Sequence, residues 1–320
     1  MKQAVFSRLT AIFLFSASLV SVSTTLLADE GSEEIQKLLS AMPQAFRTLD
    51  YQGLFTLEQG GQMVSSRIYH RVEDGRETER LVSVDGPERE LIRRNQSVDC
   101  LQPGDMILQG LLPQGLLKQS GQIHDHYRLL MGDDVRIANR PAHSIIIEPR
   151  DQYRFGYTLA IDKETGLLLQ SKMLSADGRM LDRFQFVTID FGAVSPSLLI
   201  PKSEGYEELP PDDCHQKDTH QAVDTSPWRL NLPSGYMFCH FEKSKVSNAD
   251  ALMYSDGLST FSVFIHPGED DDQSYFKGGT LLYSRKAMVD GMPYTVTVVG
   301  EIPESTAMRV TAGLSRKAGH

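Results

Sequence analysis

The sequence predicts a mainly β protein of the α+β class, with a large and a smaller antiparallel-sheet domain and helices on one side of each. Three observations carry this expectation. Asp-Gly pairs recur at 74–75, 85–86, 177–178, 256–257 and 290–291, each flanked by apolar or alternating residues. Asp-Gly supplies the positive φ angles that a tight hairpin turn requires. Met63–Glu73 alternates with a period of two, placing Val64, Ser66, Ile68, His70 and Val72 on one face and Ser65, Arg67, Tyr69, Arg71 and Glu73 on the other. That is the pattern of a half-buried antiparallel strand. Residues 204–227 are polar, hold Pro210 and Pro211 and keep no period, so they read as a linker between two such units.

The elements follow in order. Lys2 and Arg8 precede Leu9–Leu27, 19 residues without charge, and Asp29, Glu30, Glu33 and Glu34 come next. A basic start, an apolar middle and a small residue before an acidic segment read as a secretory signal over 1–28, cut after Ala28. An uncleaved anchor is the alternative, because the run approaches the ~20 residues that span a bilayer. Its four Ser and three Thr weaken that reading. Either way the charge bias places the rest of the chain outside the cytoplasm, and the expected location is the periplasm. Glu33–Phe46 carries Ile35, Leu38, Leu39, Met42 and Phe46 at helical spacing, with Pro43 expected to kink or end the helix.

The large domain is expected over 29–203. Its strands run from Tyr51 onward, then over Val135–Ala138, His143–Glu148, Tyr157–Ile161, Leu167–Leu174 and Met180–Phe191, with a further strand at Ser97–Leu101. Met106–Lys118 and Ile123–Met131, rich in Leu and Met, interrupt the meander as short helices or a loop cover. The smaller domain, 228–314, has strands near Met237–Glu242, Ala251–Ser255, Ser259–His266, Gly279–Arg285 and Tyr294–Gly300. Pro303 opens a helix through Ala312, and 315–320 is a tail.

Composition narrows function. With 320 residues, 40% hydrophobic and 23% charged, the chain can bury a core in each of two domains. Its net charge of −10 has the wrong sign for a nucleic-acid partner, whose phosphates must be neutralised. No phosphate-binding loop, dinucleotide glycine fingerprint, nucleophile elbow or His-Glu-x-x-His motif occurs, so no catalytic residue, metal or cofactor is assigned. The imidazoles of His124-Asp125-His126 would diverge on a helix, and Asp270–Asp272 lacks the Gly and terminal Glu of a calcium loop. Cys214-His215, His220 and Cys239-His240 match no standard zinc spacing. In an oxidising compartment a disulfide is the stronger use, and Cys214–Cys239, with Cys100 left over, is the expected pair of three possible. Seven Arg between 67 and 94 are balanced by seven acids, which reads as a mixed-charge solvated face. On that face Arg67, Tyr69 and Arg71 are candidates to grip an anionic group.

Read as ordered words, the chain resembles a known family. Asp50-Tyr-Gln-Gly-Leu-Phe-Thr-Leu-Glu, Ser66-Arg-Ile-Tyr-His-Arg-Val-Glu-Asp-Gly-Arg-Glu, Leu81-Val-Ser-Val-Asp-Gly-Pro-Glu-Arg-Glu, Cys100, Arg154-Phe-Gly-Tyr-Thr-Leu-Ala-Ile-Asp-Lys-Glu-Thr-Gly and Trp228-Arg-Leu-Asn-Leu-Pro-Ser-Gly-Tyr are similar to the RseB/MucB family. The resemblance implies a large LolA/LolB-like unclosed antiparallel β-barrel with covering helices, plus a smaller C-terminal domain. It implies a periplasmic negative regulator of the sigma factor E envelope-stress response, which binds the periplasmic domain of a transmembrane anti-sigma factor (RseA/MucA-like) and protects it from regulated proteolysis. Sensing of lipid or lipopolysaccharide goes with that role. A periplasmic lipid or lipoprotein carrier is the alternative, and a homodimer stays open.

The N-terminal reading is directly testable. Intact mass of the protein recovered from the periplasm is expected to lack residues 1–28, and a membrane-bound product retaining them would overturn the cleaved-signal assignment.

Overall fold

The computed structural model describes residues 25–97, 123–209, 223–243 and 249–317. Helix α1 (Thr25–Thr48) leads into a meander of β1 (Tyr51–Gln59), β2 (Gln62–Glu73), β3 (Arg76–Ser83) and β4 (Glu90–Ser97). After one helical turn, α2 (Ile123–His126), come β5 (Tyr127–Met131), β6 (Val135–Ile137), β7 (Arg140–Pro149), β8 (Gly156–Asp162), β9 (Leu168–Leu174), β10 (Met180–Phe191) and β11 (Glu207–Leu209). They form an 11-stranded sheet in the order β11-β4-β3-β2-β1-β10-β9-β8-β7-β5, with β6 beside β7. Among the described residues its two end strands do not pair with each other, so the sheet is the open, unclosed barrel that the family resemblance implied.

Period-two patterning explains the sheet. On β2, Ser66, Ile68 and His70 are buried while Arg67 is exposed, as the alternation requires. Inward residues of β1 and β10 join in an aromatic cluster, with Phe55, Phe184 and Phe186 at 5.3–6.1 Å between ring centres. The apolar face of α1 closes this interior through Ile35, Leu39, Met42 and Phe46, all buried. Pro43 does not end the helix, because burial of Met42 before it and of Ala45 and Phe46 after it holds the last turn despite the missing N–H.

The small domain contains β12 (Trp228–Arg229), β13 (Met237–Lys243), β14 (Asp250–Ser255), β15 (Thr260–Pro267), β16 (Gln273–Lys277), β17 (Thr280–Val289), β18 (Met292–Gly300), α3 (Glu304–Ala312) and β19 (Ser315–Arg316). Six strands form one sheet, β13-β14-β15-β18-β17-β16, and β12 pairs with β19. Ala307 and Val310 of α3 join Leu252, Val263, Val296 and Val298 in a second core. All five Asp-Gly pairs lie between sequential antiparallel strands. At Asp74-Gly75 and Asp290-Gly291 both residues have positive φ, the geometry of the favoured two-residue turn.

Several expectations change. Ile123–Met131 is helical only to His126, and Tyr127–Met131 is strand β5, whose pairing with β7 outweighs the helix preference of its Leu and Met residues. Strand β16 had no sequence signal because all five of its side chains are exposed, leaving no apolar face to set a period. Within the stretch read as linker, Glu207–Leu209 runs parallel to β4, and in the expected tail Ser315–Arg316 pairs with β12. Met106–Lys118, Cys100 and Cys214 lie outside the described residues.

The largest departure is the charge-rich stretch, which is not simply a solvated face. Glu77, Glu79, Arg80, Glu90 and Arg93 are all buried. Inside, His70 stacks on Tyr51 at 4.8 Å and its Nε2 lies 3.3 Å from Glu77. Burial alone would lower the His70 pKa, but the Glu77 hydrogen bond and the nearby glutamate charges raise it. Outside, the Arg80 Nε–H donates to Glu90, and Arg80 Nη1 donates to the Leu198 carbonyl at 2.8 Å. The same Glu90 carboxylate accepts the backbone N–H groups of Lys202 and Ser203 at 2.8–3.1 Å. This clamp fastens 198–203 over the outer face. Glu90→Ala leaves a buried guanidinium and two amides unpaired and is expected to cost about 3–5 kcal/mol in denaturant titration. Removing the exposed Arg94 partner by Glu208→Ala should cost no more than about 1 kcal/mol. Equal losses in the two variants would refute the buried-clamp account.

Candidate functional site

The two domains meet at a charged hub built from loops rather than sheet faces. The β7–β8 connection carries Asp151, Tyr153 and Arg154, and the β14–β15 turn carries Asp256 and Leu258. Tyr127 opens β5, and Tyr236 immediately precedes β13. Arg154 and Asp256 are 1% and 2% exposed, so their charges must be answered inside the protein. Arg154 Nε donates to Asp256 Oδ2 at 2.7 Å, and the other guanidinium nitrogens reach the Asp151 carboxylate and the Ser234 carbonyl. The guanidinium also lies 4.8 Å from the Tyr236 ring centre and 5.9 Å from that of Tyr127.

Asp256 is satisfied from five donors. Besides Arg154, its Oδ2 accepts Tyr127 Oη–H at 2.9 Å. Its Oδ1 accepts the N–H groups of Leu258 and Ser259, both at 2.9 Å, and Ser259 Oγ at 3.3 Å. Burial, reinforced by the Asp256 charge, holds the pKa values of Tyr127 and Tyr236 far above the ordinary tyrosine range. Both phenols therefore remain protonated donors. Around the hub, Ser305 Oγ and Thr306 Oγ1 at the start of α3 donate to the carbonyls of Gln152 and Tyr153, each at 2.7 Å. Leu258, fully buried, belongs to the apolar core of the large domain although it lies on a turn of the small one.

This geometry holds two bodies together rather than activating a nucleophile, because the carboxylate and guanidinium are already engaged. Among the described residues no group of three or more His, Cys, Asp or Glu converges as a metal site. The structure places Arg67, Tyr69 and Arg71 on one face of β2, as expected. Arg71 is engaged internally, donating to the Val194 carbonyl and Glu73 at 3.1 Å each, and the Arg80 guanidinium lies 5.4 Å from the Tyr69 ring. Arg71 also borders a cleft of about 240 Å³ with Arg76, Arg94, Glu73 and Leu199, while Arg67 is not among its lining residues. Cys239 is exposed on β13, and the pairing expected with Cys214 falls outside the described residues.

The hub residues were not singled out from sequence. Asp256-Gly257 looked like four other turns, and Arg154 stood inside a family-like word without an assigned role. The available signal was chemical: Arg154 is followed by Phe155-Gly156-Tyr157, and Asp256-Gly257 by Leu258, so each charge adjoins strongly apolar neighbours. Asp256→Ala and Arg154→Met are each expected to destabilise the protein by about 3–5 kcal/mol. In a double-mutant cycle read by denaturant unfolding, their coupling should exceed about 1.5 kcal/mol; additive effects would refute a direct buried pair.

Comparison with known proteins places this architecture. The MucB/RseB N-terminal domain matches residues 34–213 and the MucB/RseB C-terminal domain matches residues 222–315. The chain is 32% identical over 322 residues to the sigma factor AlgU regulatory protein MucB of Pseudomonas aeruginosa, covering 97% of this chain and 98% of that protein. It is 25% identical over 318 residues to the sigma-E factor regulatory protein RseB of Escherichia coli, covering 94% and 96%. A crystal structure of MucB in complex with MucA(peri) superposes with a TM-score of 0.69 at 33% identity, over 90% of this chain and 100% of that one. A crystal structure of MucB gives 0.59 at 30% identity, over 90% and 98%. Two domain matches in register with the two sheets, and full-length similarity to MucB, make the chain a member of the MucB/RseB family.

Proposed function

We propose that the protein is a periplasmic negative regulator of a sigma factor E-type envelope-stress response. It binds the periplasmic domain of a membrane-spanning anti-sigma factor and shields that domain from regulated proteolysis. The observation that carries this reading is the end-to-end similarity to a MucB chain solved in complex with MucA(peri), covering both domains. The hub supports it physically. By setting one domain against the other, it defines a composite surface that neither sheet presents alone. Among the described residues β13 and β16 are the edge strands of the small sheet, along which an extended peptide can lie. The role is one of binding, not turnover, and activity in a broad hydrolase screen would overturn that part.

Lipid sensing fits the apolar interior of the large domain. An acyl chain entering it competes with Ile35, Leu39, Met42 and Phe46 of α1, so occupancy must move α1 or the strands it covers. A ligand releases the anti-sigma domain only by preferring the peptide-free state, and a full 99:1 reversal needs roughly 5.5 kcal/mol of preference. Reciprocity requires the peptide to weaken lipid binding by the same factor. Titration of a labelled anti-sigma periplasmic fragment, with and without lipid A, tests both halves. Micromolar or tighter binding that lipid A weakens at least about tenfold is expected. Absence of binding overturns the regulator role, and binding indifferent to lipid A removes only the sensing role.

A further inference from the structure

The domains touch at a second place, away from the Arg154–Asp256 hub. The β16–β17 hairpin tip, Lys277-Gly278-Gly279, rests on β10 of the large domain, where the Gly279 N–H donates to Asp182 Oδ2 at 2.9 Å. The approach is so close that a Cβ on Gly278 would fall 1.9 Å from Asp182 Oδ1, and one on Gly279 would fall 2.2 Å from Met173 Sδ. Asp182 Oδ1 is buried and has no hydrogen-bond partner. Glu301 enters the same contact from the small domain. It follows Gly300, which pairs with Leu281, two residues beyond Gly279. Burial and the Asp182 charge together push its carboxyl pKa up to about 7. Burial raises Asp182 as well, against the opposing hydrogen bonds from Gly279 and Gln59.

The surroundings do not neutralise these acids. On β1 and β10, Glu58 and Arg183 pair with each other at 2.8 Å. Lys172 of β9 and Lys277 of the hairpin tip form no ion pair with either acid, and among the described residues neither acid has a cationic partner within 4 Å. From β8, the buried Tyr157 phenol feels both acids, which help to hold it protonated. Two carboxylates from different domains thus converge without a countercharge, with one carboxylate oxygen lacking a donor.

We propose that Asp182 and Glu301 form a proton-operated latch between the two domains. Closing the hairpin tip onto β10 takes up one proton, which Glu301 carries, removing the like-charge repulsion between the acids. Opening returns the proton to solvent. The closed state holds the carboxyl at a raised pKa, so closure strengthens as pH falls from about 7 toward the ordinary glutamate value and plateaus below it. The role is independent of the partner assigned above, because it requires only protons.

Hydrogen exchange of the Gly279 amide in the full mature chain reads the latch, after correction for intrinsic exchange. Its protection should rise ~30-fold between about pH 8 and about pH 5.5, following the raised Glu301 pKa. Glu301→Gln should flatten that dependence, and Asp182→Asn should lessen it, because it removes the second of the two causes that raise Glu301 and leaves burial in place. The Val263 amide in β15, inside the small-domain core, should not follow the same curve. A pH-independent Gly279 amide, an unchanged profile in both variants, or parallel behaviour at Val263 would overturn the latch. So would a carboxyl-carbon titration placing wild-type Glu301 at its ordinary value.

Discussion

The buried pair of Arg154 and Asp256 is the constraint around which the two domains are arranged. A guanidinium and a carboxylate removed from water are tolerable only when nearly every donor and acceptor is answered, because each desolvated ion costs several kcal/mol. The answers come from both domains: Tyr127 and Asp151 from the large one, Ser234, Tyr236, Leu258 and Ser259 from the small one. Shifting one domain against the other would strand several of these groups together. The mutual position of the sheets is therefore set by electrostatics, with the burial of Leu258 in the large core adding an apolar anchor.

A second clamp acts along the chain rather than across domains. Glu90 collects Arg80 and the amides of Lys202 and Ser203, so the segment leaving β10 is tied back over β3 and β4. Residues 207–209 then extend the sheet beside β4. The connection to the small domain consequently departs from the β4 end of the large sheet, whereas the hub lies beside β5 and β7 at the other end. The domains are thus tied at the hub, at the opposite end of the large sheet from β11. Such a geometry suits a protein whose work is to present, and withdraw, a composite binding surface.

The architecture was legible where a local rule has one cheap solution. Asp-Gly between alternating segments has few alternatives to a hairpin, and all five pairs proved to be hairpins. The helix over Glu33–Phe46 followed from its apolar spacing. The binding role was legible through the order of family-like words, not through any single residue. Strand β16 escaped because a strand exposed on every side chain leaves no periodic trace. The charged run of 67–94 misled for the opposite reason, since balanced charge looks alike on a solvated face and in a buried ladder.

By itself, the sequence determined the two-sheet architecture, the hairpin positions, the apolar face of α1 and the family. The first three depend on periodicity and turn chemistry, which act over a few residues, and the family on the order of words along the whole chain. Only the tertiary structure decided which charges are buried, that Arg154 meets Asp256 from 102 residues away, and that Asp182 and Glu301 come near enough across the domain contact for one charge to act on the other. Arg154 and any exposed arginine share the same side chain and the same local preferences. What separates them is the dielectric that distant parts of the chain create around them, and that exists only once the two domains have closed on each other.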